Sequence, residues 1–574
     1  MIWWLDDVAR ARSERENIAA LAERVSWLSG LRWHLSEGAA LSVDFEIEHA
    51  GQHYPLKLTY AGFHPNSPPN VVPRDGSRLS SHQYGAGGNL CLEYRADNWE
   101  TSITGAMMIE SAHRLIAGER EVDAPELPSA HFVSLGQSLR GTIFRFLLTP
   151  GTEESLKSLD AALSADIGIA EKLHAGTFAI TVTEIAGAEC HRAWPAGNRE
   201  VNKRGTAIRL PDGMALPAAE QDAIAQLMRD LGLSDNVEQV LATSGELDLV
   251  VVAGNEIAHF YAYDGSERRL FGRSKTMKVS SSKRLPESYV GLAAKKVGIV
   301  GCGSLGSKVG AMLTRAGVRE FLLIDDDVLL FDNTVRNELG ITAVGVHKVD
   351  ALRARIIEIA GTTEVTIRRV ALGGQESADS TESVMSALGT CDVIVDATAD
   401  AHCFNFCSAV AKNSLTPLVW GKVYGGGIGG LVVRVRPGYE PEPQLARNQI
   451  SAWCDAQGVP APVDASAERY ATIDDGGAPL VADDAEVAII AGHIARFVTD
   501  VLTRPDDSAF SVPAYAIGLR KGWIFTEPFD TRPIRLVGVA PWKVEQDAAT
   551  AEESLEMIRE LFPQAFNGDN QPAA

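Results

Sequence analysis

Residues 297–348, VGIVGCGSLGSKVGAMLTRAGVREFLLIDDDVLLFDNTVRNELGITAVGVHK, decide the fold of the carboxyl-terminal half of this chain. The stretch opens as a β-branched strand that runs straight into Gly301, Gly303 and Gly306, spaced as G-x-G-x-x-G. Glycines in that pattern permit a tight turn and close backbone approach to phosphate, whose charge then rests at a helix N-terminus. A second strand, residues 321–324, ends in Asp325, Asp326 and Asp327. An acidic residue at that strand tip holds ribose hydroxyls in nucleotide folds, so NAD stays open at this point. Asn333, Arg336, Asn337 and Lys348 follow. An Arg and a Lys aimed at one crevice suit a hydride donor poorly. They suit a triphosphate, whose charge must be neutralised while a carboxylate attacks it.

Composition narrows the class further. With 574 residues the chain is too long for one core and points to three or four domains. Its 45% apolar and 22% charged content is that of a soluble globular protein. A net charge of −22 argues against a general nucleic-acid or membrane-surface binder, either of which needs a basic face. No stretch approaches the ~20 apolar residues of a membrane span, and the opening MIWWLDDVARARSER turns charged too early for a signal peptide. Seven cysteines, an odd count without metal-ligand spacing, fit free thiols in a reducing cytoplasm. His402, Cys403 and Cys407, interleaved with Phe404 and Phe406, read as helix core and not as a zinc site.

Along the chain, residues 6–28 carry helical periodicity, 41–48 and 54–60 read as strands, 64–89 as mostly loop, and 103–115 as a helix. Residues 118–175 are mixed and mostly helical in pattern. Residues 177–286 suggest a small α/β module with strands at 178–183, 247–252 and 259–263 and a helix at 218–231. From Ala293 the strand–helix–strand alternation is of the doubly wound parallel type, continued by strands at 393–395 and 418–420. Residues 438–484 are expected to form a long polar loop, 485–502 a helix, 503–543 further strands and turns, and the tail FNGDNQPAA a disordered end.

The D-x-D…N-x-x-R-N…K order resembles the ThiF/MoeB and ubiquitin-activating superfamily, which adenylates the C-terminus of ubiquitin-like proteins; Asn337 stands where that family keeps a Gln. The resemblance covers roughly residues 293–437. It implies ATP on the Gly301–Gly303–Gly306 loop, with Asp325 or Asp327 at the ribose, Arg336 and Lys348 on the phosphates, and Asn333 and Asn337 among the nucleotide-binding residues. It also implies Mg²⁺ on an Asp of the segment VDATAD, where Asp400 or alternatively Asp396 is available. GGGIGGL, residues 425–431, resembles the family's glycine-rich segment beneath a partner's extended tail, although tight turns account for it equally well.

A second site lies near the N-terminus, where HPNSPPNVV (residues 64–72) precedes GNLCLEYRADNW (88–99). Cys91 between leucines, with Trp99 after it, resembles the acceptor cysteine of ubiquitin-conjugating enzymes over residues 5–120. His64–Pro65–Asn66 is a decoy for that family's catalytic H-P-N, which belongs nearer Cys91, where His82, Gln83 and Tyr84 stand. The oxyanion Asn is missing there, and His82, Tyr84 and Asn89 are the candidates for its substitute.

Together the two resemblances imply a bacterial fused conjugating and activating enzyme of antiphage ubiquitin-like modification. Its expected parts are a UBC-like α+β domain (1–150), a linker α/β module (151–286) and a Rossmann-like adenylation domain (287–574). The implied partners are a ubiquitin-like protein, a protein target, a JAB-type protease and a second copy of the chain. Such activating enzymes carry a relay cysteine in a mobile loop. Cys454 is the cysteine within 438–484, with an oxyester on Ser451 or direct transfer to Cys91 as alternatives. The competing readings are a single-step sulfur-carrier adenylyltransferase, an NAD oxidoreductase and an inactive scaffold.

Overall fold

The computed structural model describes residues 2–80, 82–84, 87–119, 134–190, 200–266, 268–278, 284–458, 482–539, 541–542 and 548–563. The chain divides into two compact units, Met1–Gly141 and Thr142–Ala574. No described helix is long and apolar enough to cross a membrane.

In the first unit a helix, Val8–Arg24, is capped by Asp7, whose carboxylate accepts the Arg10 N–H at 2.9 Å. Four strands follow as an antiparallel meander, Leu28–Ser36, Ala40–His49, Gln52–Thr59 and Asn70–Pro73, and a helix Gly105–Glu119 comes after them. Ile18 and Leu21 meet Val43, Phe45, Leu56 and Ile109 in one core, as helical spacing on one side and strand alternation on the other require. The opening helix stops at Arg24, short of the expected residue 28, because a strand begins at Leu28. Asn70–Pro73 is a strand within the stretch expected to be loop.

The second unit contains two sheets. Nine strands between Phe144 and Lys278 form the first. The largely helical pattern expected for residues 118–175 is not found: Phe144–Leu148 and Ser164–His174 are strands of this sheet, and Pro150–Lys157 is a short helix between them. Leu148 and the run Ile167–Ala170 are buried, and Glu171 and Lys172, which suggest a helix, follow that run, Glu171 half-buried and Lys172 exposed.

The second sheet has eight strands. Parallel strands lie in the order Glu364–Arg368, Glu320–Ile324, Lys296–Val300, Val393–Asp396 and Leu418–Val423. Antiparallel Gly429–Val435, Ala514–Gly518 and Thr531–Ile534 complete it. Helices Ser304–Ala316, Lys348–Ile359 and Asp484–Thr503 share one core with the sheet, and Ala378–Leu388, Ala401–Ser414 and Pro443–Asp455 share a second. Cys403 and Cys407 are buried in that second core, as expected of helix-core thiols. Burial on both faces explains why these strands read as continuous apolar runs.

The long loop expected at 438–484 is corrected. Pro443–Asp455 is a helix with Pro in its first turn, and Ala446 and Ile450, four residues apart, face the core. Asp484 already belongs to the next helix, while 459–481 and the FNGDNQPAA tail lie outside the described residues.

Candidate functional site

Strand order reverses direction between Lys296–Val300 and Val393–Asp396, and in open α/β sheets the crevice at that switch point takes the ligand. The glycine loop starts there. Gly301 has φ +85°, and a Cβ on it would lie 2.8 Å from Thr398 Cγ2. A Cβ on Gly306 would stand 1.8 Å from the Gly301 carbonyl oxygen, so the turn excludes any side chain at that position. Gly303 faces open space and caps the Ser304–Ala316 helix. Backbone N–H groups at such a helix start attract an anion.

Asp325 fastens this loop to the neighbouring strand tip. Its carboxylate accepts the Cys302 N–H at 2.7 Å and the Asp327 N–H at 2.8 Å. Burial nevertheless pushes the Asp325 carboxyl up from the usual carboxylate range. Burial likewise pushes up the Cys302 thiol, which is an interior group of the loop.

Lys348 begins its helix beside the same edge. Its ammonium lies 2.7 Å from Asp327 Oδ2, and the Lys348 N–H donates to the Asp327 carbonyl at 2.9 Å. The lysine side chain is 5% exposed and the Asp327 side chain 44%, so the pair is open from the carboxylate side. Asn333 stabilises its own turn, its Oδ1 accepting the Leu330 N–H at 3.0 Å. Asn337 is buried, with Oδ1 accepting the Leu339 N–H at 3.1 Å, while its Nδ2 has no hydrogen-bond partner among the described residues. Arg336 follows the exposed turn Phe331–Val335.

On the other side of the switch point, Asp396 is buried, and its Oδ1 accepts the Thr398 N–H at 3.0 Å and hydroxyl at 2.6 Å. Burial raises its pKa, and nearby Asp400 adds to the rise. Asp400 caps the Ala401–Ser414 helix, one carboxylate oxygen accepting the His402 and Cys403 N–H groups at 2.8 and 2.9 Å. Both carboxylates line a cleft of 450 Å³ together with Lys422, Arg447, Ser451 and Cys454. Cys454 thus sits on a helix at the cleft wall, not in the loop expected for it. Its thiol is half-buried, and burial raises its pKa; Lys422 opposes that rise and Asp455 adds to it.

The glycines of residues 425–431 serve internal packing. A Cβ on Gly427 would meet the Glu486 carboxylate at 1.7 Å, one on Gly429 the Ile517 carbonyl at 2.3 Å, and one on Gly430 Ile490 at 2.6 Å. Close approach of the Asp484–Thr503 helix and the next strand accounts for these three without a partner's tail.

Around Cys91, the Cys91 N–H donates to the His82 carbonyl at 2.7 Å and the Tyr84 N–H to the Asn89 carbonyl at 2.9 Å. Gln83 organises the turn: its Oε1 accepts the Leu79 N–H, and its Nε2 donates to the Ser77 and Gly88 carbonyls, each at 3.1 Å. Cys91 is half-buried, and Tyr84 and Asn89 are exposed. His64 is buried beside Glu14 and Tyr60. Trp99 Nε1 donates to the Pro65 carbonyl at 2.7 Å.

The glycine loop, the acidic strand tip, Lys348 and the cleft carboxylates all belong to one stretch of chain. Residues 283–513 match the ThiF family. Two uncharacterized proteins of Sinorhizobium fredii are similar to the chain. The first, y4oA, is 29% identical over 30% of this chain and 31% of its own length. The second, y4qC, is 25% identical over 64% of this chain and 70% of its own. The ATP-dependent ubiquitin transferase-like protein Cap2 of Pseudomonas aeruginosa is 28% identical over 124 residues, 21% of each chain. The chain therefore spans less than a third of the first relative's length and about a fifth of that Cap2.

Within the ThiF segment, sequence reasoning missed Lys422 and Arg447 as cleft residues. The available signal was Lys422 itself, a lysine near the carboxyl end of the otherwise apolar strand LVWGKV. Arg447 carries none, because the Pro-rich, polar stretch around its helix has the composition of a loop.

Proposed function

We infer that the chain adenylates the C-terminus of a ubiquitin-like protein, relays the acyl group through Cys454 to Cys91, and conjugates it to a protein target. One observation carries this reading: the phosphate loop, the Lys348 ammonium and the Cys454 cleft all stand at the carboxyl edge of one parallel sheet. The ThiF match and the partial likeness to Cap2 support it.

ATP is the co-substrate of this reading, and the crevice fits it. The loop bars side chains at Gly301 and Gly306, Gly303 faces open space, and the buried Asn337 Nδ2 lacks a partner among the described residues. Asp325 or Asp327 would take the ribose, and Asn333, Arg336, Asn337 and Lys348 would surround the phosphates. Asp400, or alternatively Asp396, would hold Mg²⁺, whose preference for oxygen ligands suits both. Bound there, the ion would supply charge neutralisation on the phosphates. The chain's own part is orientation and charge: it holds the α-phosphate for attack by the partner's carboxylate, and Arg336 and Lys348 stabilise the charge that builds as pyrophosphate departs. Cys454 then takes the acyl group from the adenylate, and Cys91 takes it from Cys454. A thiol suits both steps as nucleophile and leaving group.

The four-stranded meander with its flanking helices supports a UBC-like reading of the first unit. Exposed Leu330, Phe331, Val335 and Ile341, which flank Arg336, support homodimer formation there. A cytoplasmic setting, an antiphage role and a JAB-type protease partner belong to the same proposal.

The purified chain with ATP and a ubiquitin-like protein should yield a covalent, ATP-dependent adduct on a non-reducing gel, then a modified target. A free adenylate with no adduct would favour the single-step adenylyltransferase, and hydride transfer to NAD the oxidoreductase.

A further inference from the structure

Lys422 is half-buried near the end of a strand whose preceding residues, Leu418–Gly421, are all buried. Placing a lysine stem there costs side-chain entropy and desolvation that an aliphatic residue would avoid. Its ammonium stands 5.6 Å from the Tyr424 ring centroid, and Tyr424 is buried. Tyr424 packs edge-on against Trp523 at 5.2 Å, and Trp523 meets Trp453, the neighbour of Cys454, at 6.4 Å. This aromatic chain links the strand-end lysine to the helix that bears the thiol. Arg447 lies on the same helix as Cys454, its guanidinium 4.8 Å from the Phe404 ring centroid. The charged groups lining the cleft are therefore Lys422 and Arg447 against Asp396, Asp400 and Asp455.

We propose that Lys422 stabilises the negative charge that develops on the Cys454 sulfur and the acyl oxygen as a polypeptide's C-terminal acyl group leaves its adenylate. This rests on the reading of Cys454 as the relay thiol. In that step the bond from sulfur to acyl carbon forms and the bond from that carbon to the AMP phosphate oxygen breaks. AMP departs with the electron pair, and the thiol proton passes to solvent. Lys422 keeps its proton throughout, so it acts by charge and not as a base. The opposing influences of Lys422 and Asp455 on the thiol are consistent with that role.

The test compares Lys422→Met, which keeps the stem and removes the charge, with Lys422→Arg. Three quantities are measured on the full chain: ATP–pyrophosphate exchange, the single-turnover rate of the Cys454 adduct, and iodoacetamide alkylation of Cys454 against pH, mapped by peptide mass spectrometry. Lys422→Met should slow adduct formation about tenfold, the effect of one pKa unit, beyond any change in exchange. It should also move the alkylation midpoint to higher pH, and Lys422→Arg should restore most of both. Adduct formation and alkylation in Lys422→Met that match the unmodified chain overturn the proposal alone. An unmodified chain that exchanges pyrophosphate but never acylates Cys454 overturns the relay reading, and the proposal with it.

Discussion

Replacing Lys348 by alanine separates a catalytic lysine from a structural one. The ammonium is 5% exposed and 2.7 Å from Asp327, whose side chain is 44% exposed. Truncation returns Asp327 to water, so the lost pair should cost about 1 kcal/mol of stability or less, because its carboxylate is already half solvated. In a domain of this size that lowers Tm by only about 2–4 °C. The cost in activity is of another order. Removing one preorganised charge aimed at a developing oxyanion costs about 2.7–4 kcal/mol, or about 10²–10³-fold in rate. The assay is ATP–pyrophosphate exchange with the ubiquitin-like partner at saturating ATP, paired with a thermal melt. Exchange within about threefold of the unmodified chain, alongside a normal melt, would refute the placement of Lys348 on the phosphates. Lys348→Arg should recover only part of the rate, since a planar fork does not reproduce a compact ammonium held by Asp327.

Cys91→Ala should leave exchange intact and abolish target modification, scored by immunoblot of the partner. In that background, Cys454→Ala should remove the thiol-sensitive adduct. An adduct that persists and resists reducing agent would move the relay to a hydroxyl such as Ser451, one helical turn away. Glu14 is a third case. Burial raises its pKa, but the His64 ring 3.5 Å away, hydrogen bonds from the Gly105 N–H and the Tyr60 hydroxyl, and the charge of Arg10 outweigh burial and hold it below the usual range. A depressed carboxyl contributes stability above its unfolded pKa and loses it as pH falls through the folded value. The first unit should therefore lose stability below about pH 4.5, and Glu14→Gln, monitored by chemical denaturation, should flatten that dependence.

The parallel-sheet core was legible because its signals are local. A strand of β-branched residues, glycines at fixed spacing and an amphipathic helix follow one another within residues 297–316. The strands at Ala40–His49, Gln52–Thr59 and Leu247–Ala253 were legible for the same reason. Ser164–His174 was not, because its buried stretch, Ile167–Ala170, is short, shows no alternation and is flanked by Asp166, Glu171 and Lys172; pairing with a strand on each side holds it in the sheet. The Pro443–Asp455 helix hid behind its Pro-rich approach, and the core it packs into is supplied by other strands and helices that its own sequence does not show.

At the candidate site, the sequence singled out Asp327, Lys348 and Asp400 but not Lys422 or Arg447, and it could not supply any pairing. Lys348 with Asp327, and Asp400 on its helix N-terminus, are relations in space. Residues 425–431 show the converse case. The glycines there fit a partner's tail or ordinary tight turns equally well in sequence, and in the structure Glu486, Ile490 and Ile517 pack against them.

The central claim is that the glycine loop activates a ubiquitin-like C-terminus with ATP. Its most direct measurement is isotopic exchange between pyrophosphate and ATP, run with the purified chain in the presence and absence of the ubiquitin-like protein. The account predicts exchange that requires that protein with an intact C-terminal carboxylate and is lost on amidating it. Exchange that proceeds equally without the protein, or no exchange at any concentration of it, would contradict the account.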